Sequence, residues 1–250
     1  MTNFSEIKVS RDGERCTISF DRTEALNAIT PTMLEELNAA ATAASEDDGI
    51  RFVVLTGEGR SFSAGVDLKA LGERELTNGK VGDILDLPAR RLTSTLSSMP
   101  KVTIARVNGF CFTGALELAI SCDLLVVASN AKMGDTHAKF GLRPTWGLSQ
   151  RLPELVGLAK ARELSFTARI FSGEEAAQWG LATEAVALED LDGRIDELIE
   201  EMSGNSSESF VAYKDLYAAS SQLGLEAGLE YEGITDYRFS DTEERLKGFR

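Results

Sequence analysis

The stretch from Val107 to Val127, VNGFCFTGALELAISCDLLVV, decides how the chain is read. A strand ends over residues 103–107, a small-residue turn passes through Asn108 and Gly109, a helix runs over about 114–121, and a second strand follows over 124–128. Gly114 therefore offers a bare backbone N–H at a helix start. Such a donor carries partial positive charge and suits an oxygen that becomes negative during a reaction. Glu117 stands one turn later, over the same opening. Each piece also has a plainer reading: turn chemistry for the glycine, and dipole compensation on a solvated face for the glutamate.

A second stretch shifts that balance. Over Arg51 to Leu68, RFVVLTGEGRSFSAGVDL, a buried-type strand ends in a glycine-rich loop that presents Ser63, Ala64, Gly65 and Asp67. Two strand-end loops thus offer small residues and backbone N–H groups. Other chemistries fail on their own terms. The Gly57-Glu58-Gly59 pair would need its third dinucleotide-binding glycine at Phe62, and Ser61, Ser63 and Ser121 lack a nucleophile-elbow pattern. His137 is the only histidine, so a triad has one candidate member and a histidine-ligated zinc site lacks partners.

Composition bounds the rest. The 250 residues, 43% hydrophobic and 26% charged, suffice for one large core with an appendage. Forty acidic against 26 basic residues give a net charge of −14, which argues against a nucleic-acid partner and leaves any polyanionic ligand to find a local basic patch. Cys16, Cys111 and Cys122 are an odd number without metal spacing, as expected of reduced structural thiols. The start, MTNFSEIKVS, has no leader pattern, and no apolar run reaches membrane-spanning length. A cytoplasmic, unprocessed protein with no membrane partner is expected.

Taken in order, alternating strands over 7–9 and 16–20 flank the turn Arg11-Asp12-Gly13, and Thr30-Pro31 opens a helix reaching residue 45. A strand over 52–55 follows. Residues 69–86 lose clear period and are expected to be irregular. The patterns then predict a helix over 87–98, a strand over 102–107, mostly loop over 132–147, helices over 152–167 and 173–179, and a short strand over 185–187. From Leu188 onward the signals are helical. An α/β core over residues 1–190 and a helical C-terminal region over 191–250 are predicted.

Four segments carry a resemblance: LNAI (Leu26 to Ile29), VLTGEGRSFSAGVDLK (Val54 to Lys69), VNGFCFTGALELAISCDLLVVA (Val107 to Ala128) and GLRPTWGLSQRLPELVG (Gly141 to Gly157). In order and spacing they resemble the enoyl-CoA hydratase and isomerase family, the crotonase superfamily, from about Glu6 to Gly248. The resemblance implies a spiral core of repeated ββα turns with a C-terminal helical region, and an acyl-CoA thioester as ligand. It places an oxyanion hole at the N–H groups of Ala64 and Gly114, and substrate binding along Ala64, Gly65, Val66 and Asp67. Lys69 is either a phosphate ligand or a solvated surface lysine. No metal or redox cofactor is implied beyond the coenzyme A of the substrate. Homotrimers, often paired into hexamers, are implied as well, with Leu216, Leu223, Leu225 and Leu229 available for the interface.

Hydration in this family uses two carboxylates to hold and deprotonate water while a proton reaches the α-carbon. The first maps to Glu117. The second maps to His137 by its spacing to Pro144, Gly147 and Gln150-Arg151-Leu152, and Asp135 reaches that slot only by a register shift. Histidine still exchanges protons near neutral pH, so hydration of a 2-enoyl-CoA through an enolate is expected, with an isomerase working through one base and an acyl-CoA-binding protein without turnover as the alternatives. His137 is either the second proton carrier or a loop histidine satisfied by hydrogen bonds.

Overall fold

The computed structural model describes residues 4–69, 72 and 77–249. It opens with the expected hairpin, β1 (Ile7–Asp12) and β2 (Arg15–Phe20). Helix α1 (Pro31–Glu46) begins where Thr30-Pro31 predicts. The Thr30 hydroxyl accepts the Met33 N–H at 3.0 Å, and proline sits where a missing N–H costs nothing. Strands β3 (Phe52–Gly57) and β4 (Ser61–Ser63) follow, buried throughout. Next come α2 (Asp83–Ser98), β5 (Val102–Val107), β6 (Phe110–Phe112), α3 (Gly114–Ala119), β7 (Leu124–Ala128) and β8 (Lys132–Gly134). The remainder is α4 (Leu148–Val156), α5 (Leu158–Thr167), β9 (Phe171–Ser172), α6 (Gly173–Gln178), β10 (Glu184–Val186), α7 (Leu191–Ser203), α8 (Ser207–Ser220), α9 (Leu225–Ile234) and α10 (Thr242–Leu246).

Among the described residues the strands sort into a six-stranded sheet, β1-β2-β3-β5-β7-β10, and a four-stranded sheet, β4-β6-β8-β9. The pairs β3/β4, β5/β6 and β7/β8 each send their first strand to the larger sheet and their second to the smaller one. Successive turns stack through parallel pairing, β3 on β5 on β7 and β4 on β6 on β8. Helices α2 and α3 close the first two turns, which makes the α/β spiral that the resemblance implied. Phe20 and Phe62, fully buried, meet edge to face at 5.0 Å, each contributing about 1.5–3 kcal/mol through burial.

The structure moves several boundaries. Helix α2 starts at Asp83 rather than Leu87, with Asp83 and Asp86 in its first turn and Pro88 inside it. Two acids at the positive helix end favour the early start, and buried Leu85, Ala89 and Leu92 anchor the turns around the proline. Part of the segment over 69–86 lies outside the described residues. The helix expected over 152–167 is two helices, separated at Gly157, whose φ of +76° no right-handed helix tolerates. The span over 132–147 contains β8 and a 3₁₀ turn, His137–Phe140. Strand β6 also escaped the sequence reading, because three residues are too few to show a period.

Candidate active site

Two loops meet where the second strands of the spiral's first two turns, β4 and β6, end. In the first, Asn27 is fully buried at φ +56°, and its amide donates to the Glu58 and Ser61 carbonyls at 2.9 and 2.8 Å. This clamp lays Leu26–Ile29 beside the 63–67 loop as a parallel bridge, Ile29 to Val66. The Ala64 N–H donates to the Leu26 carbonyl at 2.9 Å and the Asp67 N–H to that of Ile29 at 2.9 Å, while the Gly65 N–H bonds the Ser63 hydroxyl at 3.1 Å. The Val66 N–H has no partner among the described residues. The expectation of a free donor at Ala64 is therefore corrected: the bridge consumes that N–H, and the loop's unpaired donor is two residues later.

The second loop runs into α3. Thr113 holds the unusual φ of +54°, its N–H bonded to the Gly134 carbonyl at 2.9 Å, and the Gly114 N–H that follows is unpaired among the described residues. Strained backbone of this kind costs about 1–3 kcal/mol and persists only where the surroundings enforce it. Two glycines let the loops close. A methyl carbon at Gly65, whose φ is +89°, would lie 2.8 Å from the Phe112 carbonyl oxygen, and one at Gly114 would lie 2.5 Å from the Trp146 ring. Both positions need glycine for close approach.

Glu117, on α3, is 1% exposed, not solvated. Its Oε1 accepts the N–H groups of Trp146 and Leu148 at 2.9 and 3.0 Å. Burial pushes its pKa up to about 7, against the lowering effect of the His137 charge and those two N–H groups. Its Oε2 faces the His137 Nε2 at 3.6 Å, beyond hydrogen-bond length. On the other side of that ring, Nδ1 lies 2.7 Å from the Asp135 Oδ1, which also accepts the His137 N–H at 3.2 Å. Burial works to raise the Asp135 pKa, but hydrogen bonds from His137 and from the Ser165 hydroxyl hold the carboxyl below its ordinary range. His137 is itself buried, and the Asp135 hydrogen bonds that the alternative reading expected orient its ring toward Glu117.

The other expected residues are placed as follows. Asp67 pairs with the Arg22 guanidinium at 3.0 Å, and its Oδ1 accepts the Lys69 N–H at 3.1 Å. The Lys69 side chain is exposed. Trp146 was missed as a site residue, and Asp135 was weighed only as a rival for the slot of His137. The Trp146 indole N–H donates to Asp86 at 2.8 Å, which pins the ring over Gly114, and a lone tryptophan in a proline-glycine loop carries no periodic signal. Beside His137 lies a cavity of about 320 Å³ with an apolar wall that includes Leu142, Leu148, Leu152 and Phe166. Among the described residues no group of His, Cys, Asp and Glu converges as a metal site.

A buried acid facing an oriented imidazole, with unpaired backbone donors on two loops in close approach, makes a candidate acid–base site on a spiral α/β scaffold. The chain belongs to the enoyl-CoA hydratase/isomerase family, whose model matches residues 12–250. A probable peroxisomal enoyl-CoA hydratase 1 of Arabidopsis thaliana is 31% identical, over 98% of this chain and 94% of its own length. Among solved structures, an enoyl-CoA hydratase from Bacillus anthracis superposes with a TM-score of 0.88 at 30% identity, covering 98% of this chain and 95% of that one. A Thermobifida fusca structure solved in complex with acetoacetyl-CoA superposes with a TM-score of 0.82 at 28% identity, covering 97% and 95%.

Proposed function

We propose that this chain hydrates a 2-enoyl-CoA. The thioester carbonyl sits against the N–H groups of Val66 and Gly114, which stabilise the enolate oxygen as charge develops there. The Thermobifida fusca neighbour solved with acetoacetyl-CoA supports that ligand. Water adds its oxygen to the β-carbon and gives a proton to the His137 Nε2. Glu117, whose pKa of about 7 keeps it protonated part of the time at neutral pH, delivers a proton to the α-carbon. The proton on His137 then returns to Glu117, and the site is restored without metal or redox cofactor. The observation that carries this reading is the buried Glu117 facing an oriented His137 at 3.6 Å. Assembly as a homotrimer or a pair of trimers belongs to the same proposal, supported by the exposed leucines of α9.

The test is incubation of purified protein with crotonyl-CoA and, separately, a β,γ-enoyl-CoA, each followed by absorbance and mass. Hydration removes the conjugated absorbance of crotonyl-CoA and adds the mass of one water. Gain of conjugated absorbance from the β,γ-substrate without mass change would make the chain an isomerase. Binding of both with neither change would leave an acyl-CoA-binding protein.

A further inference from the structure

We infer that Asp135 is a positioning residue: it fixes the His137 ring in the tautomer that presents a bare Nε2 to Glu117, so that Asp135, His137 and Glu117 work as a one-proton relay. The inference rests on the acid–base reading above, in which Asp135 has no part, and adds the element that sets the imidazole's polarity.

The geometry leaves little freedom. Asp135 follows β8 directly, is 2% exposed, and bonds both the ring Nδ1 and the backbone N–H of His137 through one oxygen. The Ser165 hydroxyl on α5 gives the carboxylate a further donor. An ionised carboxylate only accepts, so the proton of the 2.7 Å contact belongs to Nδ1, and a neutral imidazole then has its lone pair on Nε2. Glu117 cannot turn away from it. Rotating that carboxyl would break the bonds from the Trp146 and Leu148 N–H groups to Oε1, so Oε2 stays toward the ring. The other charged groups nearby are Arg151 on α4, whose guanidinium donates to the Trp146 carbonyl at 3.3 Å, and Arg143 and Arg162, which line the cavity beside His137. Among the described residues none of the three forms an ion pair with Glu117 or Asp135.

The arrangement has a chemical consequence. Two carboxylates facing one water bring two negative charges to the substrate, whereas here the second charge lies behind the ring. Asp135 stabilises the imidazolium that forms when Nε2 takes a proton, without presenting an anion to the developing enolate. Each cycle passes one proton from water to Nε2 and one from Nε2 to Oε2, replacing the proton that Glu117 has given up.

Because His137 is the only histidine in the chain, ¹⁵N-histidine labelling reports it alone. The neutral ring is expected to show a protonated Nδ1 and an unprotonated Nε2, without tautomer averaging. Asp135→Asn should produce a mixture or the opposite tautomer. It should also lower kcat by about 10²-fold or more with KM little changed. Ser165→Ala should lower kcat in the same way by less. Thermal unfolding confirms that each variant is folded. A protonated Nε2 or an averaged spectrum in the parent overturns the inference, and so does an Asp135→Asn variant with the parent's tautomer and kcat. If the parent turns over neither substrate, the hydratase reading fails, while the labelled spectra still decide the role of Asp135.

Discussion

Helices α3 and α9 are written in nearly the same letters, GALELA and LEAGLEYEGI, and the fold treats them oppositely. Every residue of α3 is buried, glutamate included, because α3 closes a turn of the spiral with sheet and helix around it. No residue of α9 is buried: Leu225 is 82% exposed, Leu229 59% and Ile234 71%. Composition and propensity do not distinguish them, and tertiary position does. The contrast has a chemical side. Burial pushes the pKa of Glu117 up to about 7, while the glutamates of α9 stay in solvent.

The sharpest way to break this comparison is Glu117→Gln, which removes the proton and keeps the shape. The amide oxygen still accepts from Trp146 and Leu148, so acyl-CoA binding should survive, while kcat falls by about 10³-fold. A variant indifferent in both would sink the enzymatic reading. The same change should stabilise the fold. Folded Glu117 has its pKa raised from 4.5 to about 7, so between those values the folded state holds more proton than the unfolded one. Parental stability therefore falls as pH rises through that window, by up to about 3 kcal/mol. Glu117→Gln lacks this loss and should unfold later than the parent at pH 8 but not at pH 4, as denaturant titrations at the two pH values would show.

Next in size is Gly114→Ala. It leaves the N–H in place, but its methyl would lie 2.5 Å from the Trp146 ring. Displacing that ring moves the backbone that holds Glu117, so turnover should fall by about 10²-fold with about 1–3 kcal/mol of overpacking. Turnover and stability like the parent's would mean that Trp146 is not what packs the site.

How much of this was legible depended on whether a signal was local. Thr30-Pro31, the apolar run of β3 and the Leu124–Ala128 strand state their structure within a few residues, and the fold kept them. The burial of Glu117 was not legible, since it comes from Trp146 and Leu148, about thirty residues away. The donor was misplaced by two residues because a sequence does not say which N–H a parallel bridge will consume. Asp135 was seen, but as a rival for the slot of His137. Only coordinates show it behind the ring rather than in place of it.

The smallest effect on turnover is expected at the other end of the comparison. Helices α8 and α9 frame an open groove of about 500 Å³ that includes Leu216, Leu223, Leu225 and Leu229, an apolar surface that one chain leaves uncovered. Such surfaces mark interfaces. If copies of this chain cover it, the parent should scatter light as a trimer or hexamer of the 27.1 kDa chain at micromolar concentration. Replacing both Leu225 and Leu229 by serine should then shift it toward the monomer. Because the spiral packs its own site without α9, turnover per chain should change by no more than about twofold. A parent that is monomeric from the start would show that α9 is exposed for some other reason. A dissociated variant that lost turnover would show instead that the site draws on a neighbour, and the division between a self-sufficient core and a partner-dependent end would have to be redrawn.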